Sequence, residues 1–395
     1  MGTKVHRRVM GDLWLGHLTA DLASGALPAV LVFLKPLLHL SYTKTGAVVL
    51  AATITSALAQ PLFGRWSDRH VMTWLLPAGV AAAAVGIAFA PSMHSYPLVL
   101  LLVALSGLGV GAFHPEAMKL ARYASGARRA SGIALFQTGG NLGIALGPLL
   151  TGALLTVAGA PGGLLLLVPG LAVSLLLLAN FGALARTRRA GVEQTRRHSE
   201  PDRPGPFKLL LAAIGLRSVA YYGLFVFIPL WEVANGHSKG YGTALLSCVL
   251  FGGAFGTLCM GPLADRYPHR IILAASLAAT PVFVLIFVLT TGAVSAVAVV
   301  IAGATTVSGF GLTTVMGQEY LPSRIAMASG MTVGFAMGLG GVAVVLLGVV
   351  ADSIDLRSAL LVTAVAPAIG ALVALCLPGE GHARRHTDTV ALAGD

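Results

Sequence analysis

The chain has 395 residues, of which 56% are hydrophobic and only 10% charged, and its mean hydropathy is +0.83. A soluble domain carries about 25% charged residues to cover its water-facing surface, so this composition excludes a soluble globular protein. The formal net charge of +11 does not indicate nucleic-acid binding, because the basic clusters lack the interleaved aromatic residues that would stack on bases.

Twelve long apolar stretches recur along the chain. They are long enough to cross roughly 30 Å of hydrocarbon as helices, and they are too continuously apolar for barrel strands. The sequence therefore predicts an all-α membrane protein with twelve transmembrane helices. The predicted helices span residues 11–36, 44–63, 71–92, 95–121, 130–157, 161–183, 207–231, 240–262, 269–291, 294–318, 323–350 and 356–377.

The two halves of the chain repeat each other. FGRWSDRH after the second predicted helix matches MGPLADRYPHR after the eighth, and the offset from Gly64 to Gly261 is 197 residues. RRASGIALFQTGGNLG matches IAMASGMTVGFAMGLGG, with an offset of 198 residues from Ser131 to Ser329. A near-constant offset predicts two pseudo-symmetric six-helix bundles, an arrangement typical of secondary transporters whose site lies between the halves near the middle of the membrane.

A polar stretch, RTRRAGVEQTRRHSEPDRPGP, divides the two halves. It is rich in Arg and Pro and almost free of apolar residues, which is typical of a linker. We therefore expect an N-terminal bundle over residues 1–183, a cytoplasmic linker over 184–206, a C-terminal bundle over 207–378 and a cytoplasmic tail over 379–395.

The basic residues alternate from loop to loop. Of the 26 Lys and Arg residues, 21 lie at the N-terminus, around the loops after even-numbered helices, or in the C-terminal tail. Only Lys35, Lys44, Lys239 and Arg357 flank the opposite loops, and Arg217 lies inside a helix. Cytoplasmic loops are enriched in Lys and Arg, so this pattern predicts that both termini are cytoplasmic.

Asp21 is an unusual residue for the middle of an apolar helix. It lies about ten residues into the first predicted helix, near mid-membrane by helical rise, and His17 precedes it by one turn on the same face. An ionisable group at this depth is costly and commonly marks a proton pathway. The sequence predicts a proton-coupling pair, with a structural hydrogen bond between the two side chains as the alternative.

Arg217 is the single basic residue in the predicted membrane core. It lies about 14 Å deeper than Lys208 by helical rise, and its planar guanidinium suits carboxylate or phosphonate ligands. Tyr221 and Phe225 follow on the same helical face. We expect Arg217, Tyr221 and Phe225 to bind an anionic substrate. The alternative is a permanent salt bridge from Arg217 to one of three carboxylates, Asp21, Glu116 or Glu319.

The stretch GAFHPEAMKL ends the fourth predicted helix. Pro115 removes a backbone donor and favours a bend, so His114 and Glu116 are expected at a kinked inner end. Glu319 occupies a similar place on the tenth helix. These groups are predicted to form an inner gate, with a static helix-end network as the alternative and proton relay as a secondary role.

Further polar and glycine residues complete the predicted sites. Gln137 and Asn141 are four residues apart and are expected either to line the cavity or to join helices by hydrogen bonds. The two repeated loops are expected to form a conformational latch, with residues Gly64, Asp68, Arg69, Gly261, Asp265 and Arg266.

The sequence predicts no metal site, no cofactor and no enzymatic centre. The eleven histidines and three cysteines lack metal-ligand spacing. The chain also lacks a phosphate-binding loop, so ATP is not expected to drive transport. A membrane-embedded enzyme remains a weaker alternative to a transporter.

The repeated loop residues Gly64, Asp68 and Arg69 resemble the loop signature of the major facilitator superfamily. Within it, five stretches together resemble the fosmidomycin-resistance group of efflux transporters: GHLTADLASGALPAV, SDRHVMTWLLPAG, GAFHPEA, ALFQTGGNLGIALGPLL and GQEYLPSRIAMASG. The resemblance implies the major facilitator fold. It also implies proton-coupled antiport that exports a drug-like compound, conferring antibiotic resistance, in a bacterial inner membrane.

The expected substrate is small and anionic or amphipathic, and the other expected partners are protons and the lipid bilayer. The chain is expected to act as a monomer without nucleic acid. Uptake of a small metabolite remains the alternative direction, because direction depends on coupling rather than on fold.

Overall fold

The computed structural model describes residues 6–125, 129–192, 201–264, 267–321 and 325–379. Asp265 and Arg266 of the predicted latch lie outside these ranges, and the side chains of Asp68, Arg69 and Gln318 are not described. The described residues form thirteen α-helices. They are α1 Arg7–Leu37, α2 Tyr42–Arg69, α3 Leu75–Phe89, α4 Tyr96–Ala124, α5 Arg129–Ala158, α6 Leu167–Ala179, α7 Phe181–Val192, α8 Pro204–Ala234, α9 Lys239–Ala264, α10 His269–Leu289, α11 Gly292–Tyr320, α12 Ile325–Ser353 and α13 Leu356–Leu375.

Twelve of these helices, all except α7, belong to segments long and apolar enough to cross a membrane, counted over the described ranges. The predicted all-α fold with twelve transmembrane helices is therefore confirmed. Two spans include 3-10 turns, Ala90–Ser92 after α3 and Ala160–Leu166 before α6. The Pro residues at the start of these turns suit positions where no helical donor is needed.

The helix α7 departs from the expected linker. Its sequence is polar overall, but Leu184 and Arg188 are one turn apart and share a face. Both side chains are buried, at 0% and 2% exposure, and α7 packs on α4 and α6. One buried stripe is sufficient to hold a short helix against a bundle. Residues 193–200 of the expected linker and 380–395 of the expected tail lie outside the described part of the chain.

The helix contacts of the two halves follow one pattern. In the N-terminal half α1 packs on α5, α2 on α4, and α3 on both α4 and α6. In the C-terminal half α8 packs on α12, α9 on α11, and α10 on both α11 and α13. The repeated contacts agree with the repeated sequence and give two pseudo-symmetric six-helix bundles.

The halves meet through α2 with α12 and α5 with α9. Glycines allow the first pair to approach closely where α2 begins and α12 ends: a Cβ on Gly46 would lie 2.8 Å from the Val344 carbonyl oxygen, and one on Gly348 would lie 2.6 Å from that of Tyr42. Small residues permit such backbone contact between membrane helices. We call this the closed end of the molecule, and we call the end that carries α7 the linker end.

The packing of α2 against α12 at glycine positions is less close toward the linker end. A Cβ on Gly334 would lie 3.5 Å from the Ala57 carbonyl oxygen, and a Cβ on Gly330, one helical turn further, would have nothing within 4 Å. The two helices are therefore in tight backbone contact where α2 begins, and this close packing does not extend to Gly330.

Candidate functional site

Asp21 lies between two imidazole rings. Its Oδ2 atom is 3.2 Å from Nε2 of His17 on the same helix, and its Oδ1 atom is 3.3 Å from Nε2 of His114 on α4. His17 is 4% exposed, whereas Asp21 and His114 are 18% and 17% exposed. The cluster is thus buried on the His17 side and accessible on the other.

Backbone carbonyl groups orient both imidazoles. Nδ1 of His17 lies 2.9 Å from the Phe136 carbonyl oxygen, and Nδ1 of His114 lies 2.8 Å from that of Val110. A carbonyl oxygen only accepts, so each Nδ1 carries the proton and donates. Phe136 also stacks on the His17 ring at a centroid distance of 4.1 Å. Both Nε2 atoms are held facing the Asp21 carboxylate.

The absence of a side chain at Gly140 makes room for this cluster. A Cβ there would meet Nε2 of His17 and would lie 2.6 Å from Oδ2 of Asp21. The same helix α5 approaches the α1 backbone at Gly139, where a Cβ would lie 2.6 Å from the Trp14 carbonyl oxygen. The glycine-rich part of α5 therefore determines how closely the His17 and Asp21 side chains of α1 pack against α5.

The structure separates His114 from Glu116, which the sequence placed together at the inner end of a helix. Residues two apart on a helix point to different sides, and α4 continues through Pro115 to Ala124. His114 faces Asp21 on α1, whereas Glu116 faces α2 and α7. The two residues therefore have no common partner in this arrangement, and their part in an inner gate stays a prediction.

Glu116 is fully buried in a network within the N-terminal half. Ser67 donates a hydrogen bond to its Oε2 atom, and Arg188 Nε donates to its Oε1 atom at 3.1 Å. A second Arg188 nitrogen donates to the Ser67 carbonyl at 2.7 Å, and Lys119 donates to the Gly64 carbonyl at 3.3 Å. The network ties α4, α7 and the end of α2 together beside the predicted latch.

Gly64 packs against the predicted kink residue, since a Cβ on it would lie 3.7 Å from Cβ of Pro115. Gly261, its repeat partner, lies in α9. Glu319 on α11 is 52% exposed and lies 3.7 Å from Nδ1 of His269. The carboxylates Glu116 and Glu319 therefore occupy different environments in the two halves, one sealed in the protein and one open.

Arg217 on α8 is buried at 1% exposure. Its guanidinium carbon lies 3.8 Å from the ring centroid of Phe310, and one terminal nitrogen donates to Thr313 Oγ1 at 3.3 Å. Its Nε atom has no hydrogen-bond partner in the described structure. Among the described residues Arg217 has no carboxylate partner, so the alternative of a permanent salt bridge is not realised here.

An aromatic group lies close enough to the charged residues of both halves to interact with them. Tyr221 stacks on Phe225 with a centroid distance of 5.8 Å and meets Phe310 edge-on at 5.1 Å. Both Tyr221 and Tyr222 interact electrostatically with Asp21 and with Arg217. The tyrosines therefore lie within range of the carboxylate of one half and the guanidinium of the other.

Gln137 and Asn141 on α5 make no side-chain hydrogen bond with the part of the chain that the structure describes. Gln137 is exposed and Asn141 is half-buried. Helix-to-helix bonding, one of the two roles expected for them, is absent in this arrangement.

Sequence reasoning missed several partners of these residues. Phe310 and Thr313 lie on α11, about 90 positions from Arg217, and only packing brings them together. Arg188 was assigned to a linker, although its one-turn spacing from Leu184 was an available signal for a buried helical face. The contact between His114 and Asp21 had no signal in the sequence.

A sequence profile of the Major Facilitator Superfamily matches residues 13–345. The chain is 28% identical over 388 residues to the fosmidomycin resistance protein of Escherichia coli (strain K12), covering 95% of this chain and 93% of that protein. It is also 28% identical over 384 residues to YfnC, an uncharacterized MFS-type transporter of Bacillus subtilis (strain 168), covering 93% of this chain and 92% of YfnC.

Solved structures show the same fold at low sequence identity. A bacterial homolog of the human lysosomal transporter Spinster, in an inward-facing and occupied conformation, superimposes with a TM-score of 0.77 at 16% identity, covering 95% of this chain and 97% of that one. The Escherichia coli fucose:proton symporter FucP gives a TM-score of 0.63 at 16% identity, covering 95% and 100%. The profile match over most of the chain confirms the resemblance seen in the sequence, and this chain belongs to the Major Facilitator Superfamily of membrane transporters.

Proposed function

We propose that this protein is a proton-coupled secondary transporter that exports a small anionic or amphipathic compound by alternating access. The observation that carries the proposal is the opposition of two sites across one pair of tyrosines. Asp21 with its two histidines belongs to the N-terminal half. Arg217, which has no carboxylate partner among the described residues, belongs to the C-terminal half.

Arg217 supports the anionic character of the substrate. A buried guanidinium without a counter-ion is costly, because its desolvation is offset only by an aromatic face and one hydroxyl. An anion whose oxygens accept hydrogen bonds from the free side of the guanidinium would recover part of this cost. Tyr221 and Phe225 supply an adjoining aromatic surface for the rest of the molecule.

The Asp21 cluster supports proton coupling. An acidic group flanked by two imidazoles offers sites that gain and lose protons inside the membrane. Because the tyrosines interact with both charged sites, protonation of the cluster and occupancy of Arg217 are expected to affect each other. Glu116 is sealed by Arg188 and Ser67, so we assign it a structural role; Glu319 is left as a secondary candidate in the proton path.

The distribution of basic residues assigns the linker end to the cytoplasm. The close contact of α2 with α12 at the other end then supports an inward-facing state, closed on the outer side. Transport requires the two halves to rock, so that the outer contacts open and the inner ends approach. Gly64, Asp68 and Arg69, with Gly261, Asp265 and Arg266, are proposed to latch the inner end in the outward-facing state.

Export, rather than uptake, is supported by the similarity to the fosmidomycin resistance protein over nearly the full length of both chains. The same similarity supports a role in antibiotic resistance. The proposed location is a bacterial inner membrane, and the distribution of basic residues favours cytoplasmic placement of both termini. We propose a monomer as the working unit, because each half completes the site of the other.

The test is transport in proteoliposomes with an imposed pH gradient, using a panel of radiolabelled phosphonates, carboxylates and neutral analogues. We expect proton-driven transport of an anion by the native protein, its loss in Asp21→Asn, and normal transport in the control Asp355→Asn. Asp355 caps α13 at the surface, with its carboxylate accepting from the Ser358 amide at 2.6 Å.

Three results would contradict parts of the proposal. Gradient-independent transport by the native protein would remove proton coupling. Preference for neutral analogues would remove the anion site. Movement of substrate and protons in the same direction would exclude antiport and support the uptake alternative, whereas antiport itself accumulates substrate on the side with the higher proton concentration.

A further inference from the structure

The cluster of His17, Asp21 and His114 carries an inference beyond proton coupling. One ligand atom from each residue, the two Nε2 atoms and a carboxylate oxygen, lie within 4.8 Å of one another. Two of these residues come from α1 and the third from α4, so the grouping is a product of the fold rather than of one helix. Two imidazole nitrogens and one carboxylate oxygen form a ligand set typical of divalent transition metals.

The tautomers of the two histidines differ from those expected if both imidazoles simply donated hydrogen bonds to Asp21. Each Nδ1 atom donates its proton to a backbone carbonyl, so a neutral imidazole presents the lone pair of Nε2 to Asp21. Three electron-pair donors then point at one another with no hydrogen between them. A cation placed among the three atoms removes this repulsion.

The distances favour a metal ion as that cation. The two Nε2–carboxylate separations are 3.2 and 3.3 Å, longer than the roughly 2.7–2.9 Å of a charge-assisted hydrogen bond. Bonds of about 2.0–2.1 Å to a tetrahedral zinc ion place neighbouring ligand atoms about 3.3 Å apart. Each of the two separations, one to Oδ2 and one to Oδ1 of Asp21, is close to that spacing. Since one ligand atom from each of the three residues already lies within 4.8 Å of the others, small side-chain shifts would bring them around one ion.

The surroundings supply the features of a supported metal site. Metal-binding histidines commonly donate their other ring N–H to a carbonyl group, which holds the ring in place, and both rings here do so. Phe136 stacks on His17, and the missing side chain at Gly140 lets His17 and Asp21 lie directly against α5. Asp21 and His114 keep partial exposure, which leaves a fourth position open to water or to an oxygen of a bound solute.

We propose that His17, Asp21 and His114 form a binding site for one divalent transition-metal ion of the Zn²⁺ or Co²⁺ type. The ion occupies the same three atoms that the proposed function uses for protons, but the metal site does not depend on that function being right. Binding of the ion is expected to block transport by competing with protons.

The test measures metal binding directly, on purified full-length protein without a histidine tag. After treatment with a chelator, the protein is titrated with Co²⁺ and followed by visible absorption, and Zn²⁺ is added to displace it. We expect one Co²⁺ per chain with the absorption of low-symmetry nitrogen and oxygen ligation, and its loss on adding Zn²⁺.

Variants locate the site. His114→Gln and Asp21→Asn each remove one ligand and are expected to weaken binding at least roughly tenfold, since even outer-shell changes cost about 10–100-fold. The control His94→Ala, an exposed histidine between α3 and α4, is expected to bind as the native protein does. Thermal unfolding of each variant in detergent without metal identifies any that fail to fold, and the Zn²⁺-induced rise in unfolding temperature gives a second readout.

Equal Co²⁺ binding by the native protein and by His114→Gln would overturn the proposal. The absence of Co²⁺ binding to the native protein would also overturn it, and protons would then be the cations that the cluster binds. These outcomes are separate from those of the transport assay. If the native protein fails to bind metal but still exports substrate in response to a proton gradient, only the proposed metal site is refuted. If the native protein binds metal and Asp21→Asn exports substrate as the native protein does, only the proposed proton-coupling role of Asp21 is refuted.

Discussion

Asp352 near the end of α12 accepts hydrogen bonds from Thr43 at the start of α2, in the other half of the molecule. Its Oδ2 atom lies 2.7 Å from the Thr43 amide nitrogen and 2.6 Å from the Thr43 hydroxyl, and its Oδ1 atom lies 2.8 Å from the Tyr42 amide nitrogen. A carboxylate at a helix N-terminus satisfies free amide groups and interacts favourably with the helix dipole. The closed end is thus held by charge-assisted hydrogen bonds across the two bundles.

Asp352→Asn is expected to weaken the closed end, because a neutral amide accepts hydrogen bonds less strongly than a carboxylate. A loss of about 1.4 kcal/mol would shift the balance between inward- and outward-facing states about tenfold. The distance across the closed end is measured between spin labels on cysteines that replace Leu37 and Ile354. These cysteines are introduced into a variant that lacks the three native cysteines. We expect longer distances there in Asp352→Asn and native distances in Asp355→Asn; unchanged distances in both would show that Asp352 does not hold this end.

Gly140→Ala is expected to disrupt the Asp21 cluster while leaving the fold intact. The added methyl group would meet the His17 ring and the Asp21 carboxylate, and overpacking of this kind costs about 1–3 kcal/mol. We expect a large fall in proton-driven transport in proteoliposomes at similar levels of folded protein. Gly11→Ala on α1 is the matched control, because a Cβ there has nothing within 4 Å. Normal transport by Gly140→Ala would mean that the cluster tolerates displacement.

Arg188→Ala is expected to destabilise the N-terminal bundle by about 3–5 kcal/mol, because it leaves the carboxylate of Glu116 buried without its charged partner. The measurement is thermal unfolding in detergent. Arg189→Ala changes the exposed neighbour on the same helix and is expected to be near neutral. The double variant Arg188→Met with Glu116→Gln should recover much of the loss. Equal unfolding temperatures for both single variants would contradict the role given to this ion pair.

Glu116→Gln tests whether this residue also takes part in gating. Since its partners Ser67 and Arg188 belong to the same half, we expect lower thermal stability but native distances between spin labels at Leu62 and Met331, near the linker end of α2 and α12. A change in those distances would restore Glu116 to the inner gate that the sequence suggested.

Arg217→Lys is expected to raise the substrate concentration for half-maximal transport at least roughly tenfold, because an ammonium group cannot provide the planar fork that binds a carboxylate or phosphonate. The maximal rate should change less. Lys208→Arg, at an exposed position on the same helix, is the control for surface charge. An unaltered concentration dependence in Arg217→Lys would argue against direct contact with the anion.

Much of the architecture follows from the sequence. The twelve spans and the two-bundle repeat follow from patterns within single helices and from the offset of about two hundred residues between the halves, and the family is identified from the resemblance of particular stretches. Both predictions depend on properties of short stretches of sequence. The length of an apolar stretch indicates a membrane span, and repeated motifs indicate duplicated bundles. The polar residues Asp21, His17 and Arg217 are visible for the same reason, because an ionisable side chain stands out in an apolar helix.

The residues that Asp21, His17 and Arg217 contact could not be predicted from such local patterns. His114 reaches Asp21, and Glu116 reaches Arg188, only because neighbouring helices present particular faces to each other, and small changes in helix rotation would exchange the partners. Likewise Phe310 and Thr313 meet Arg217, and Asp352 meets Thr43, through packing between helices far apart in the chain. Hydropathy determines that each helix crosses the membrane, whereas close packing at glycines such as Gly140 and Gly348 decides which side chains meet.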